Sequence, residues 1–154
     1  MRSPESSTVL FRRVAPDVRP RATVRFARRL QREVARARAF DCLLTGDAEL
    51  RELNRGFRGK DYATDVLSFP SACPVEGAAL PHLGDIAISI QRARAQAREF
   101  GHTAEQEVRI LMLHGLLHLL GMDHATDNGA MARAERRWRR KLRLPAGLIE
   151  RVRP

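Results

Sequence analysis

Residues 103–124 read TAEQEVRILMLHGLLHLLGMDH. Thr103 can accept a backbone N–H at the head of a helix. Glu105 and Glu107 place negative charge in the first turns, where the helix dipole favours it. From Val108 to Leu120 the segment is apolar almost all round. Such a helix has no face to give to water, so the stretch predicts a buried helix at the centre of a domain. Gly121 can take the left-handed conformation that ends it.

The flanking segments predict what surrounds that helix. Thr8 to Val14 reads as a strand ended by Ala15-Pro16. A helix follows Pro20, because Val24, Ala27, Leu30, Val34 and Ala37 recur at spacings of three and four, with Arg25, Arg28, Arg29, Arg32, Arg36 and Arg38 on its other faces. Phe40 to Thr45 reads as a short buried strand. Asp47 is positioned to cap a helix running to about Arg55 with Leu50 and Leu53 inward. Next come a glycine-containing loop, a strand from Asp65 to Phe69 stopped by Pro70, and a connector over 70–83 with three prolines. Gly84 to Ser89 is a fourth strand, and Ser89 can cap a helix ending near Phe100-Gly101. A last helix runs from Asp127 to about Leu144, with Met131, Ala134, Trp138 and Leu142 on one stripe. The order β-α-β-α-β-β-α-α-α predicts one α+β domain over residues 1–154, residues 1–7 loose. Its four-stranded sheet packs with about five helices around the buried central one.

A chain of 154 residues, 44% hydrophobic and 30% charged, has the size and composition of one globular domain. No run approaches the roughly 18 apolar residues of a membrane span, and MRSPESSTVLFRR has no apolar signal core, so the expectation is a cytoplasmic protein. Cys42 and Cys73 lack a C-x-x-C spacing and read as reduced, non-catalytic thiols. The net charge of +10 is uneven. Residues 1–39 carry 11 basic and 3 acidic side chains, residues 40–126 carry 8 and 12, and residues 127–154 carry 9 and 3. Nearly all the positive charge is arginine, whose planar fork pairs well with phosphate oxygens. Cationic ends of this size raise the expectation of a polyanionic partner such as nucleic acid.

His114 and His118 stand at i and i+4, on one face of the central helix, and the break at Gly121 lets the chain return His124 to them. One histidine on an apolar helix is usually a core residue with a satisfied hydrogen bond. Two in a leucine-rich buried helix are costly unless a partner uses their nitrogens. Three clustered imidazoles and no nearby cysteine predict an open, zincin-like zinc site with a position left for water. Asp123 or Asp85 can orient an imidazole; His82 and His102 stand alone in loops and receive no role. The spacing is also that of the metzincin peptidases, which carry glutamate after the first histidine. Gly115 stands there, which turns the reading away from proteolysis and towards phosphodiester chemistry.

HGLLHLLGMDH, with LNRGFRGKDYATDVLSFP (Leu53 to Pro70) and LGDIAIS (Leu83 to Ser89) in this order, closely resembles the YbeY family of bacterial rRNA-processing endoribonucleases. The resemblance implies a zinc-dependent, single-strand-specific endoribonuclease acting in 16S rRNA 3′-end maturation and ribosome quality control. Its partners would be single-stranded RNA, the 16S precursor and the small ribosomal subunit. It puts one Zn2+ on His114, His118 and His124, and a functionally important arginine at Arg58 in FRGKD, with Lys60 a weaker electrostatic aid. Met122 stands where the family usually has tyrosine, and the last helix is rich in arginine where the family's is often acidic. The alternatives are a zinc metallopeptidase and a non-catalytic ribosome-assembly factor with a structural metal. Cleavage site, oligomeric state and general base stay open.

Overall fold

A computed structural model of the chain describes residues 6–13, 15–59, 64–71, 81–123 and 127–146, the side chain of Arg58 excepted. The elements are β1 (Thr8–Phe11), α1 (Pro20–Glu33), β2 (Asp41–Thr45), α2 (Asp47–Arg58), β3 (Val66–Pro70), β4 (Gly84–Ser89), α3 (Ile90–Phe100), α4 (Ala104–Leu119) and α5 (Ala130–Lys141). The four strands form one mixed sheet in the order β1-β2-β4-β3. β1, β2 and β4 run parallel, and β3 lies antiparallel to β4 at one edge. This is the α+β, four-stranded, five-helix domain that the sequence predicts.

Strand alternation sorts the side chains between two faces. Cys42, Leu44, Ile86 and Ile88 point to the large core with α1 and α4, where Leu30, Leu111, Leu113 and Leu116 are fully or almost fully buried. Leu43, Leu67, Phe69 and Ala87 point the other way, onto Leu50 and Leu53 of α2. α4 packs on β3 and β4 with α3 and α5 against it, while α1 packs on β1 and touches α4. The apolar segment 108–119 is thus the central helix. Its head carries a full capping box, in which Thr103 Oγ1 accepts from Gln106 N–H and the Gln106 side chain accepts from Thr103 N–H.

Several boundaries differ from the sequence reading. The buried stripe of α1 is Ala22, Thr23, Phe26, Ala27, Leu30 and Gln31, and Val24 is only half-buried. The large ring of Phe26 takes the core position. The helix ends at Glu33, and Arg36 and Ala37 adopt positive φ in the turn that leads to β2. Gly46 caps α2 in place of Asp47, the first helical residue, whose carboxylate instead accepts from Ser89 Oγ at 2.5 Å. α2 continues through Gly56 to Arg58, because the left-handed residue that stops it is Gly59 at φ +66°. Pro70 closes β3 inside the sheet, as an edge strand tolerates. Asp127 lies outside α5 but accepts from Gly129 and Met131 N–H at 3.0 and 2.8 Å. The connector segment 72–80, with Cys73, lies outside the described residues.

Candidate metal centre

His114 and His118 share one face of α4, their ring centroids 4.8 Å apart and their planes crossed at 76°. His114 is 7% exposed, and its Nδ1 lies 2.8 Å from Oε2 of Glu135, a residue of α5 only 1% exposed. His118 Nδ1 lies 3.0 Å from the backbone oxygen of Met122, just beyond the Gly121 break. A carbonyl can only accept, and a carboxylate accepts, so in neutral rings both Nδ1 atoms carry the proton and both Nε2 atoms present lone pairs. Those Nε2 atoms face each other at 3.2 Å.

Two facing lone pairs repel unless a proton or a cation lies between them. The donor set fits a cation. Two imidazole nitrogens on one tetrahedral zinc, each at about 2.0–2.1 Å, stand roughly 3.3 Å apart, close to the separation here. Glu135 stands where an outer partner would fix the tautomer of a ligating ring. His124, the third predicted ligand, lies outside the described residues.

The two rings open into a cleft of about 390 Å³ lined also by Asp65, Val66, Ser68, Pro70 and Asp123. Asp123 therefore shares the cleft with the histidines. Asp65 is held by Val66 N–H at 2.8 Å and Gln96 Nε2 at 3.1 Å. Ser68 Oγ donates to the Gly115 carbonyl at 2.9 Å, fastening α4 to β3 beside the site. A Cβ at Gly115 would stand 2.8 Å from Ile86 Cγ2 and 3.2 Å from Ser68 Oγ. The position at which peptidases carry glutamate is therefore filled by the sheet itself. Arg58 is the last residue of α2, and its side chain and Lys60 lie outside the described residues.

Asp85 does not orient His114 or His118: strand alternation turns it to the sheet's other face. There Asp41, His82 and Asp85 bring one ligand atom each within 4.8 Å of one another, a second candidate cation group. Asp41 and Asp85 are register partners on β2 and β4. His82 Nε2 meets Asp41 Oδ2 at 3.1 Å and its Nδ1 meets Ser71 Oγ at 3.3 Å, so His82 is not isolated. Burial and then the neighbouring Asp41 charge push the Asp85 carboxyl above its ordinary range, while His82 pulls the other way. His102 is not alone either: its Nε2 meets the buried Glu107 at 2.6 Å. Cys42 is free and buried, and burial raises its thiol far above the ordinary range.

Glu135 is the residue that sequence reasoning missed. Its signal was an acid between Met131 and Trp138 at spacings of four and three, on the apolar stripe of an otherwise cationic helix.

The profile of the family described as Endoribonuclease YbeY matches residues 20–143. An Endoribonuclease YbeY of Solibacter usitatus is 66% identical over 152 residues, 99% of each chain. One of Nautilia profundicola is 54% identical over 112 residues, covering 72% of this chain and 77% of its own. A Thermotoga maritima protein solved in solution superimposes with a TM-score of 0.56 at 26% identity, over 85% of each chain. With a profile over most of its length and a relative matching it end to end, the chain belongs to the endoribonuclease YbeY family.

Proposed function

We propose that the chain is a zinc-dependent, single-strand-specific endoribonuclease that acts in the 3′-end maturation of 16S rRNA and in ribosome quality control, in the cytoplasm. Its relatives are named endoribonucleases. The observation that carries the metal reading is the pair of Nε2 atoms at 3.2 Å, each on a ring whose Nδ1 is occupied by an acceptor. His114, His118 and His124 would hold the ion, and the arginine-rich ends favour RNA over a peptide substrate.

Held by His114, His118 and His124, a zinc ion would supply Lewis acidity that lowers the pKa of water towards neutrality. The chain's own groups do the rest. Glu135 keeps the proton on His114 Nδ1, and the Met122 carbonyl keeps it on His118 Nδ1. Asp65 and Asp123 bring carboxylates to the cleft, where a proton leaving the nucleophile can be received. Arg58 clamps a phosphate oxygen and offsets the charge that develops as the phosphodiester breaks. The close approach of Gly115 to Ile86 argues against a peptidase, whose general-base glutamate has no room there.

The test is end-group analysis of a short labelled single-stranded RNA cut by the zinc-loaded protein, with His118→Ala and Arg58→Ala alongside. The expected result is cleavage lost in His118→Ala together with zinc, restored to wild type by zinc after chelation, and strongly reduced in Arg58→Ala with zinc retained. Wild-type cleavage by metal-free His118→Ala refutes the zinc mechanism. Tight rRNA binding with no cleavage by any form supports the assembly-factor alternative.

A further inference from the structure

The exposed face of α1 carries Arg21, Arg25, Arg28 and Arg32, at steps of four, three and four residues. That spacing sets the four guanidinium groups in one stripe over roughly 16 Å of helix, at 1.5 Å rise per residue. Among the described residues none of the four has a hydrogen bond or ion pair. Arginines around them do: Arg19 meets Glu105 at 3.1 Å, and Arg29 meets Glu33 at 2.7 Å. In α3, Arg92 meets Asp47 at 3.4 Å and Arg94 meets Asp17 at 2.6 Å. The α1 stripe itself carries no acid that could pair with its four arginines.

That face costs stability in the free protein. Like charges three and four residues apart on one helix face repel. The first turn of α1 contains no acidic residue, and Arg21 sits there against the positive end of the helix dipole. A polyanion relieves both. Between the side chains runs a shallow trough of about 320 Å³ lined by Pro20, Arg21, Val24, Arg25 and Arg28. The face offers no aromatic ring on which an unpaired base can stack, since Phe26 is buried under the Arg109 guanidinium. Its row of guanidinium forks matches a row of phosphates, which is how the backbone of base-paired RNA presents itself.

We propose that the α1 stripe binds the phosphate backbone of a base-paired RNA segment adjoining the single strand that is cut. This rests on the endoribonuclease reading. α1 packs on β1 and the metal cleft opens beside β3, at opposite edges of the sheet. Three strand spacings separate those edges, roughly 14 Å. One RNA must extend that far to engage both, and a stem joined to a single-stranded tail does so. The stripe then favours structured substrates over isolated single strands.

The test uses the full-length zinc-loaded protein and a quadruple variant, Arg21→Gln, Arg25→Gln, Arg28→Gln and Arg32→Gln. Two RNAs, a stem with a 3′ tail and the tail alone, are titrated by fluorescence anisotropy over a series of salt concentrations. The expected result is at least a tenfold loss of affinity for the stem with tail. The slope of log K against log salt becomes shallower by about 0.9 for each phosphate that the variant no longer neutralises. Binding and cleavage of the tail alone stay at wild-type level. A quadruple Arg→Lys variant, which keeps the charge, retains most of the slope and controls for folding. An unchanged slope on the stem with tail overturns the proposal, as does an equal loss on both RNAs. If the wild-type protein cuts the tail in either case, the endoribonuclease reading survives; if it neither binds nor cuts any RNA, both fall.

Discussion

Replacing Glu135 by glutamine tests whether the buried carboxylate serves the metal or only the fold. The contact is 2.8 Å long, between His114 Nδ1 and Glu135 Oε2, with both residues under a tenth exposed. A hydrogen bond to an ionised partner contributes about 1.5–3 kcal/mol, and a neutral one about 0.5–1.5 kcal/mol. Glutamine can keep the bond through its carbonyl oxygen but loses the charge, a difference of about 1–1.5 kcal/mol. At about 1.4 kcal/mol per factor of ten, zinc should bind roughly tenfold more weakly. Glu135→Ala removes the partner altogether and should reach towards the hundredfold end of the range for such outer contacts. Competition against a chromophoric chelator at neutral pH reads the affinity, and urea unfolding of the zinc-free proteins reads the fold separately. If Glu135→Gln holds zinc as tightly as the wild type while His114→Ala loses it, Glu135 does not tune the metal.

Gly115→Ala should destabilise the protein by about 1–2 kcal/mol in urea, since overpacking against fully buried Ile86 exceeds the gain in helix propensity. Gly56→Ala in α2, where an added Cβ meets nothing within 4 Å, should instead stabilise by up to about 1 kcal/mol; opposite signs are required of the pair. Thr103→Ala breaks the capping box and should cost about 1 kcal/mol in the same assay, while an unchanged midpoint would deny the cap any role. Asp85 has a folded pKa raised by burial and by Asp41, so its contribution is most favourable at low pH and is lost as pH rises through the folded value. Asp85→Asn should therefore stabilise the protein at neutral pH and lose that advantage towards the ordinary carboxylate range; a gain that grows on acidification contradicts the assignment.

Most of the fold was legible because its strongest signals are local. The cap at Thr103, the apolar run to Leu119 and the stops at Gly101 and Gly121 each act within a few residues, and the structure keeps them. What the sequence hid depends on elements meeting in space. The i, i+4 spacing of His114 and His118 is a property of one helix. Glu135 reaches His114 only because α5 packs back on α4, 21 residues later. Asp41, His82 and Asp85 likewise meet only because β2 and β4 are neighbours although β3 lies between them in sequence. His82, isolated in the sequence, therefore comes within 4.8 Å of two carboxylates. The end of α2 was misjudged for a different reason. The sequence reading ends the helix at about Arg55 and begins a glycine-containing loop there, yet a glycine inside a helix costs only about 1 kcal/mol, and the φ +66° turn falls at Gly59.

Gly115 links the fold to the chemistry. At residue 115 α4 comes this close to β4 and β3 because it presents no side chain there, and the 2.9 Å bond from Ser68 to the Gly115 carbonyl holds it in place. The same close approach brings His114, one residue earlier, up against the cleft floor formed by Val66, Ser68 and Pro70. A glutamate at 115 would need the helix lifted off the sheet, and lifting it would move His114 and His118 out of the cleft. The packing that sets the two imidazoles in position thus excludes the peptidase's base from its usual place. Among the described residues, the carboxylates that line the cleft are those of Asp65 and Asp123.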